Sequence, residues 1–436
     1  MEKTLVEFLK WYQAEDVSRF HMPGHKGNCS FLQSIGVKDD ITEIAGADCL
    51  YQATGVLGQL EETLSELYDS DCFLSAGGST LCIQTMLTLC RSRKLIAVRS
   101  AHASFFHAAA LLGVEPIFLQ TTVSASTGLC QPPSAAELEG LLKQISQPAA
   151  LYLTSPDYWG NTADIEAIAS ICHQNNTLLL VDNAHGSHRR FLPADRHPLS
   201  LGADLCSDSL HKTLPAFTGA ALLHVRRGLF SKQEIKQAMA LFGSTSPSYL
   251  ILLSIARCCD YLKGTAKSDF AALSSKKEQF LTETNVPCLD TDCSKLTIDA
   301  FRLGYHGKEL AALFRQNQME PEWVQDRYLI LLLSPFLRDR DWTRLHRFFL
   351  ELPRRVPLAI SGAVPPLEPV RRCSLREATF AQKRAIPISR AVGAVSGETV
   401  FSCPPGIPLV AAGEELTEKL CQALKKSSIS QINVIK

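Results

Sequence analysis

Seven short β-rich runs punctuate the chain between residues 72 and 225: CFLSA at 72–76, LIAVR at 95–99, PIFLQ at 116–120, ALYLT at 150–154, LLLVD at 178–182, DLCSDS at 204–209 and ALLHV at 221–225. Short runs that are mostly apolar, without strict alternation, predict strands buried on both faces. Between them the apolar period lengthens to that of a helix. Leu57, Leu60, Leu64 and Leu67 follow it within 56–68, and Ile165, Ile168, Ala169 and Cys172 within 162–175. Strand alternating with helix predicts a mostly parallel sheet with helices on both sides, an α/β architecture. At the amino end, Leu5, Phe8, Leu9 and Tyr12 fall at i, i+3, i+4, i+7 and predict an amphipathic helix.

The pattern changes beyond about residue 290. KLTID reads as a strand, GKELAALFRQN as a helix, RYLILLLS as a strand and DWTRLHRFFLEL as a helix, which together make a smaller α+β unit. Residues 353–372 are rich in Pro and Arg and read as a long connection. A Pro/Gly turn, a short strand and a helix follow from residue 403. The expected division is an N-terminal helix and arm over 1–40, a large domain over 41–290 and a small C-terminal α+β domain over 291–436.

Composition narrows the class of function. A chain of 436 residues builds a large core and more than one domain. Lys+Arg and Asp+Glu are both 44, so the formal charge is zero, which argues against nucleic acid as a partner. No signal-peptide pattern opens the chain and no apolar run approaches membrane-spanning length, so a cytoplasmic protein with no membrane partner is expected. The 15 cysteines are scattered without a C-x-x-C, and neither a disulfide framework nor a metal site is expected.

Ligands of open parallel sheets bind at the carboxyl ends of the strands, so the polar residues there are the candidates. After 72–76 comes Gly77-Gly78-Ser79-Thr80 and then a helical stretch. This reads as a phosphate cradle or as an ordinary helix cap. His102 follows 95–99, placed to stack on a flat ring or to serve the structure alone. Asp182 ends LLLVD, with His185 and His188 in the loop behind it, open to a cation-pairing role, a metal site or a helix cap. Ser209-Leu210-His211-Lys212 follows the sixth run. Pyridoxal phosphate requires a phosphate cradle, a ring-stacking group, a carboxylate on its pyridinium nitrogen and a lysine for a Schiff base. Ser79, His102, Asp182 and Lys212 supply one of each.

The same residues carry a resemblance. FHMPGHKG at 20–27, DITEIAGADCL at 40–50, SAGGST at 75–80, RSAHAS at 99–104, TSPDYWG at 154–160, VDNAHGSH at 181–188, SDSLHKTL at 207–214, STSPSYLILLSIA at 244–256 and CPPGIPLVAAGE at 403–414 are similar to segments of the Orn/Lys/Arg decarboxylases. These are fold-type I pyridoxal-phosphate enzymes, and the likeness is to a short form without the N-terminal receiver-like domain. It implies a large domain with a seven-stranded, mostly parallel sheet and a smaller α+β domain. It implies a Schiff base on Lys212, with His211 and Ser209 holding the phosphate and the lysine. Asp182 would pair with the ring nitrogen, His185 would lie beside the ring, His102 would stack on its face, and Gly78, Ser79 and Thr80 would hold phosphate. Ser244 and Ser246 would reach a neighbouring subunit's phosphate, so a homodimer or larger homo-oligomer with shared sites follows. The implied reaction is decarboxylation of a small basic amino acid, arginine or lysine before ornithine, to CO2 and a polyamine-pathway amine. Lys212, His211, Asp182 and His102 would be its catalytic residues. Three departures stand out: Ala76-Gly77-Gly78-Ser79 where N-G-T-S is usual, so that a threonine hydroxyl is missing at Gly78; Asn183 where Glu is usual; and VAAGE where V-P-G-E is usual. Glu398 and Glu414 are candidates for reading the substrate side chain. Another fold-type I activity, aminotransfer or a lyase reaction, and a non-catalytic relative are the rival readings.

Overall fold

The computed structural model of the chain describes residues 4–119, 122–145, 147–359, 369–401, 408–427 and 429–436. Its centre is a seven-stranded sheet. In spatial order the strands are Asp71–Ser75, Ala221–Val225, Leu205–Asp208, Thr177–Asp182, Ala149–Thr154, Lys94–Val98 and Ile117–Leu119. The last five run parallel to one another, and Ala221–Val225 is antiparallel to both its neighbours. The observed strands sit within a residue or so of the seven runs read from the sequence. They were legible because both faces are covered. Tyr152 and Leu180 point into a core shared with helices Gly78–Leu89 and Ala103–Leu112. Leu151, Leu153, Leu179 and Val181 point the other way, against helix Ile165–Gln174. Near-continuous apolar runs are the signature of such strands.

Helix starts follow the same local logic. Thr4, Ser134, Ser231 and Ser374 each close a capping box with the glutamate three residues on. At one edge of the sheet, two side chains of helix Val56–Tyr68 take over the work of a missing strand. Ser65 Oγ accepts from the Cys72 amide (2.9 Å), and Glu61 Oε1 accepts from the Leu74 amide (3.0 Å) and from Lys236 Nζ (2.6 Å).

Beyond the large sheet, Trp323–Val324, Tyr328–Leu332 and Lys295–Asp299 form a three-stranded antiparallel sheet in that order. Its apolar side merges into one core with helices Tyr249–Lys263 and Ala266–Thr284. The arm strand Ser18–Phe20 pairs in parallel with Met319–Pro321, so the amino end is tied to this smaller unit. A last cluster packs helix Glu418–Lys426 on the pair Lys383–Pro387 and Gln431–Ile435. Residues 403–407 of the CPPGIP stretch and 360–368 of the long connection lie outside the described residues. The helix expected at the amino end is present as Leu5–Ala14, yet none of its residues is buried, and Leu5, Phe8 and Leu9 are exposed. Among the described residues, no helix is long and apolar enough to cross a membrane.

Candidate active site

The carboxyl ends of five strands open on one cavity of about 340 Å³. Gly78, Ser79, Thr80, His102, Asp182, His185, Ser209, His211 and Lys212 all line it. They come from four separate loops, and the strand order alone brings them together. A wider groove of about 570 Å³ lies at the sheet edge between helices Val56–Tyr68 and Lys232–Ala240. Its buried charges, Lys236 and Glu61, already satisfy each other at 2.6 Å, so the smaller cavity is where unspent chemistry lies.

Lys212 sits in the four-residue helix Leu210–Thr213, and its Nζ is 3.1 Å from His185 Nε2. Burial lowers the Lys212 pKa, while the charges of Asp182 and Glu322 pull it back up. Burial, followed by the charge of Lys212, holds His185 well below the usual imidazole range. His185 is therefore neutral and accepts from Lys212. Its other nitrogen, Nδ1, then carries the proton, and it is buried with no partner in the chain. An N–H in that state calls for an acceptor from a ligand.

Asp182 is buried at the end of its strand. Its Oδ2 accepts from Tyr152 Oη at 3.2 Å and its Oδ1 from the Ala184 amide at 3.2 Å. His102 caps helix Ala103–Leu112: its Nδ1 accepts from the Ser104 amide (3.2 Å), which leaves Nε2 as the protonated nitrogen. Burial lowers its pKa, with the Asp182 charge opposing. His211 Nδ1 donates to the Ala220 carbonyl at 3.1 Å, and burial takes its pKa down to about 4.

At the other end of the cavity, helix Gly78–Leu89 begins, and its first three residues line the space. Ser79 Oγ and Ser209 Oγ are hydrogen-bonded to each other at 2.6 Å. Gly78 has φ +65°, and a Cβ there would meet nothing nearer than the Gly219 carbonyl at 4.0 Å. The glycine is demanded by its backbone angle, and the space beside it is free for a ligand. Two hydroxyls and a helix N-terminus suit a phosphate.

The Asn183 departure has a local account. Asn183 Nδ2 donates to Asp208 Oδ1 at 2.6 Å, and Asp208 Oδ2 also receives His197 Nε2 (3.1 Å) and His224 Nε2 (3.2 Å). The carboxylate lies well below its usual range, and His224 is raised to about 9 with Cys72 and Asp208 beside it. This fully buried network lies directly under the turn that carries Ser209 and Lys212.

Ser244 and Ser246 do not line this cavity and are exposed. Glu398 and Glu414 are engaged elsewhere. Glu414 is buried in a two-point ion pair with Arg99 (2.6 and 2.7 Å), and Glu398 accepts from the Asn433 amide and side chain. The reading of single residues missed Tyr158 and Glu322. Tyr158 lines the cavity edge-on to the His185 ring, with centroids 5.0 Å apart. It donates to Glu322 Oε1 at 2.9 Å, while the Met22 amide donates to Oε2 at 2.9 Å. Tyr158 lay in the TSPDYWG segment but carried no role. Glu322 belongs to the smaller unit and had no motif to flag it. The glycine of HMPGHK also finds its reason: the Gly24 amide donates to the His211 carbonyl (2.8 Å), and a Cβ would stand 2.7 Å from Leu214 O.

An unpartnered His185 Nδ1, an open cradle beside Gly78 and a carboxylate facing a lysine across one cavity all fit pyridoxal phosphate.

Comparison with known proteins agrees with this geometry. The family described as Orn/Lys/Arg decarboxylase, major domain, matches residues 3–281. The arginine decarboxylase of Bacillus subtilis (strain 168) is 27% identical over 452 residues, 96% of this chain and 92% of that protein. A Bacillus subtilis protein described as uncharacterized, YaaO, is 28% identical over 98% of this chain and 94% of its own. Among solved structures, lysine decarboxylase A from Pseudomonas aeruginosa superposes with a TM-score of 0.77 at 17% identity, covering 99% of this chain and 80% of that one. The Francisella novicida lysine decarboxylase LdcF gives 0.76 at 15% identity, covering 100% and 84%. At such identities the structures show the shared fold, that of the fold-type I pyridoxal-phosphate enzymes. The sheet, the site and the matched domain lead to one conclusion: the chain belongs to the Orn/Lys/Arg decarboxylase family and is a pyridoxal-phosphate-dependent decarboxylase of basic amino acids.

Proposed function

We propose that this chain binds pyridoxal phosphate through Lys212 and decarboxylates arginine or lysine to agmatine or a diamine. The observation that carries the reading is the shared cavity: Lys212 and Asp182 both line it, Lys212 with a neutral imidazole at 3.1 Å and Asp182 with two hydrogen-bond donors on its carboxylate. Bound there, pyridoxal phosphate supplies an electron sink for the pair left at Cα when CO2 departs. The chain's own residues do the rest. Burial lowers the Lys212 pKa and so favours the free amine, the form that attacks a carbonyl carbon. The Asp182 carboxylate, held by two donors at the strand end, would face a protonated ring nitrogen there. Ser79, Thr80, Ser209 and the amide groups at Gly78–Thr80 would hold the phosphate, and His102 would lie against the ring. Tyr158 and Trp159 wall the cavity and limit water, which favours return of a proton to Cα from Lys212 or a neighbouring histidine.

Ser244 and Ser246, exposed and outside the chain's own cavity, are assigned to the phosphate of a second subunit, which makes the working unit a homodimer with shared sites. The similarity to relatives named arginine decarboxylase supports arginine as the first substrate to test.

The test is an amine-product assay on arginine, lysine and ornithine, with CO2 and keto-acid release measured together. The expected result is CO2 with one amine, no keto acid, and loss of both the activity and the cofactor's absorbance in Lys212→Ala. Keto acid in place of CO2 would assign an aminotransferase. A Lys212→Ala protein of full activity would remove the lysine from its role.

A further inference from the structure

We infer that Tyr152 is a positioning residue for the reaction: its phenol holds the Asp182 carboxylate in place for the cofactor's ring nitrogen. The inference rests on the reading of Asp182 given above. Tyr152 lies on Ala149–Thr154, and its register partner on the neighbouring strand is Leu180. Asp182 is therefore one pleat further along the same face, about 6.6 Å away along the strand. A phenol spans that distance and an aliphatic side chain does not. The hydroxyl ends 3.2 Å from Asp182 Oδ2.

Apart from Asp182, only the Thr154 hydroxyl on the same strand approaches the phenol among the described residues; the rest of its surroundings is apolar. Tyr152 is 0% exposed, and its neighbours on the strand are Ala150, Leu151 and Leu153. Its ring packs on Phe105, with centroids 4.5 Å apart and planes at 32°. Phenylalanine would fill the same space without bringing a polar group into the core, where an unpaired hydroxyl is unfavourable. The acceptor that offsets this burial is the site's own carboxylate. Phe105 is in the helix that His102 caps, so the ring is braced by the element that carries another cavity residue.

The pair is built to last across working pH. Burial, with the Asp182 charge next, drives the Tyr152 pKa well above its usual value, so the phenol stays a donor. Hydrogen bonds to a carboxylate favour its ionised form. With the Ala184 amide on Oδ1, both oxygens are held and each keeps a lone pair. A ring nitrogen bound there would then meet a carboxylate held in one orientation.

The experiment compares wild type, Tyr152→Phe, Asp182→Asn and the double variant. Cofactor affinity is read by titrating apoprotein with pyridoxal phosphate, and the lysine-linked absorbance is followed against pH. Tyr152→Phe is expected to weaken cofactor binding about tenfold, the loss of one hydrogen bond to a charged group. It is expected to move the absorbance titration by roughly half a unit or more, because the carboxylate facing the ring nitrogen loses one of its two donors. In the Asp182→Asn background the same substitution should change affinity less than about twofold, since its target charge is gone. Equal affinity and an unmoved titration in Tyr152→Phe, or the same loss in both backgrounds, overturns the inference while leaving the parent reading intact. A wild-type chain that develops no lysine-linked absorbance overturns both.

Discussion

Glu322 lies far from Lys212 in sequence, yet its charge bears on the lysine's pKa from the smaller unit. A carboxylate that senses an ammonium at Lys212 also senses a cation on a substrate in the same cavity. Its two bonds, from Tyr158 and Met22, orient it while leaving a lone pair on each oxygen. Glu322→Gln keeps the shape and removes the charge. The expected outcome is a KM raised about tenfold or more for the preferred basic amino acid, with a smaller change in kcat, as for lost ground-state binding of a charge. Steady-state kinetics checks it: an unchanged KM would remove Glu322 from substrate recognition. Lys295 acts at the same scale as a support. It is buried, its Nζ donates to the carbonyls of Asp157 (3.2 Å) and Tyr158 (2.8 Å), and burial lowers its pKa to about 8. It fixes the turn that presents Tyr158. Neither residue was legible beforehand, because their partners lie across the domain junction. Tyr152 was hidden for another reason: in an apolar run a tyrosine reads as a strand former, and only the structure shows what its hydroxyl meets.

The arm that carries HMPGHK is held by close packing and by neutral histidines. Gly24→Ala would drive a methyl group into the Thr213–Leu214 backbone. A loss of roughly 1–3 kcal/mol, the usual range for overpacking, is expected in denaturant unfolding. Cofactor affinity should fall with it, because the same backbone carries Lys212. His25 and His211 both have pKa values lowered to about 4, chiefly by burial. Between about pH 6.5 and 4 the unfolded chain therefore binds protons at these positions that the folded chain does not. Stability must fall as pH falls through that window, by up to about 1.4 kcal/mol per pH unit for each group. Unfolding followed at pH 7, 6 and 5 should show this slope, and His25→Gln should reduce it by one proton; an unchanged slope would show that His25 is protonated without cost. At the level of elements the sequence was most readable. Strands buried on two faces need unbroken apolar runs, and the caps Thr4, Ser134, Ser231 and Ser374 announce helices by their spacing to glutamate. What covers the stripe Leu5, Phe8 and Leu9 was not readable, because periodicity reports that a face is apolar and not which surface meets it.

For the molecule as a whole, the proposed site takes its lysine and phosphate end from the large sheet and Glu322 from the smaller unit. The proposal of shared sites adds Ser244 and Ser246 from a second copy, and it can be tested by mixing inactive chains. Neither Lys212→Ala nor the Ser244→Ala/Ser246→Ala pair should be active at low cofactor. Co-refolded in equal amounts, they form hybrid dimers with one intact site, and on the order of a quarter of wild-type activity should return. No recovery would place the whole phosphate site within one chain.

The sheet edge at Asp71–Ser75 bears on how two copies can meet. Its outward amides at Cys72 and Leu74 are already bonded to Ser65 and Glu61, so a strand from another molecule finds no free donors there. Assembly on this side has to proceed through side-chain surfaces, which can separate and rejoin without unzipping any backbone ladder. A chain purified in excess of its cofactor should therefore stay in solution instead of growing into cross-β fibres through this border.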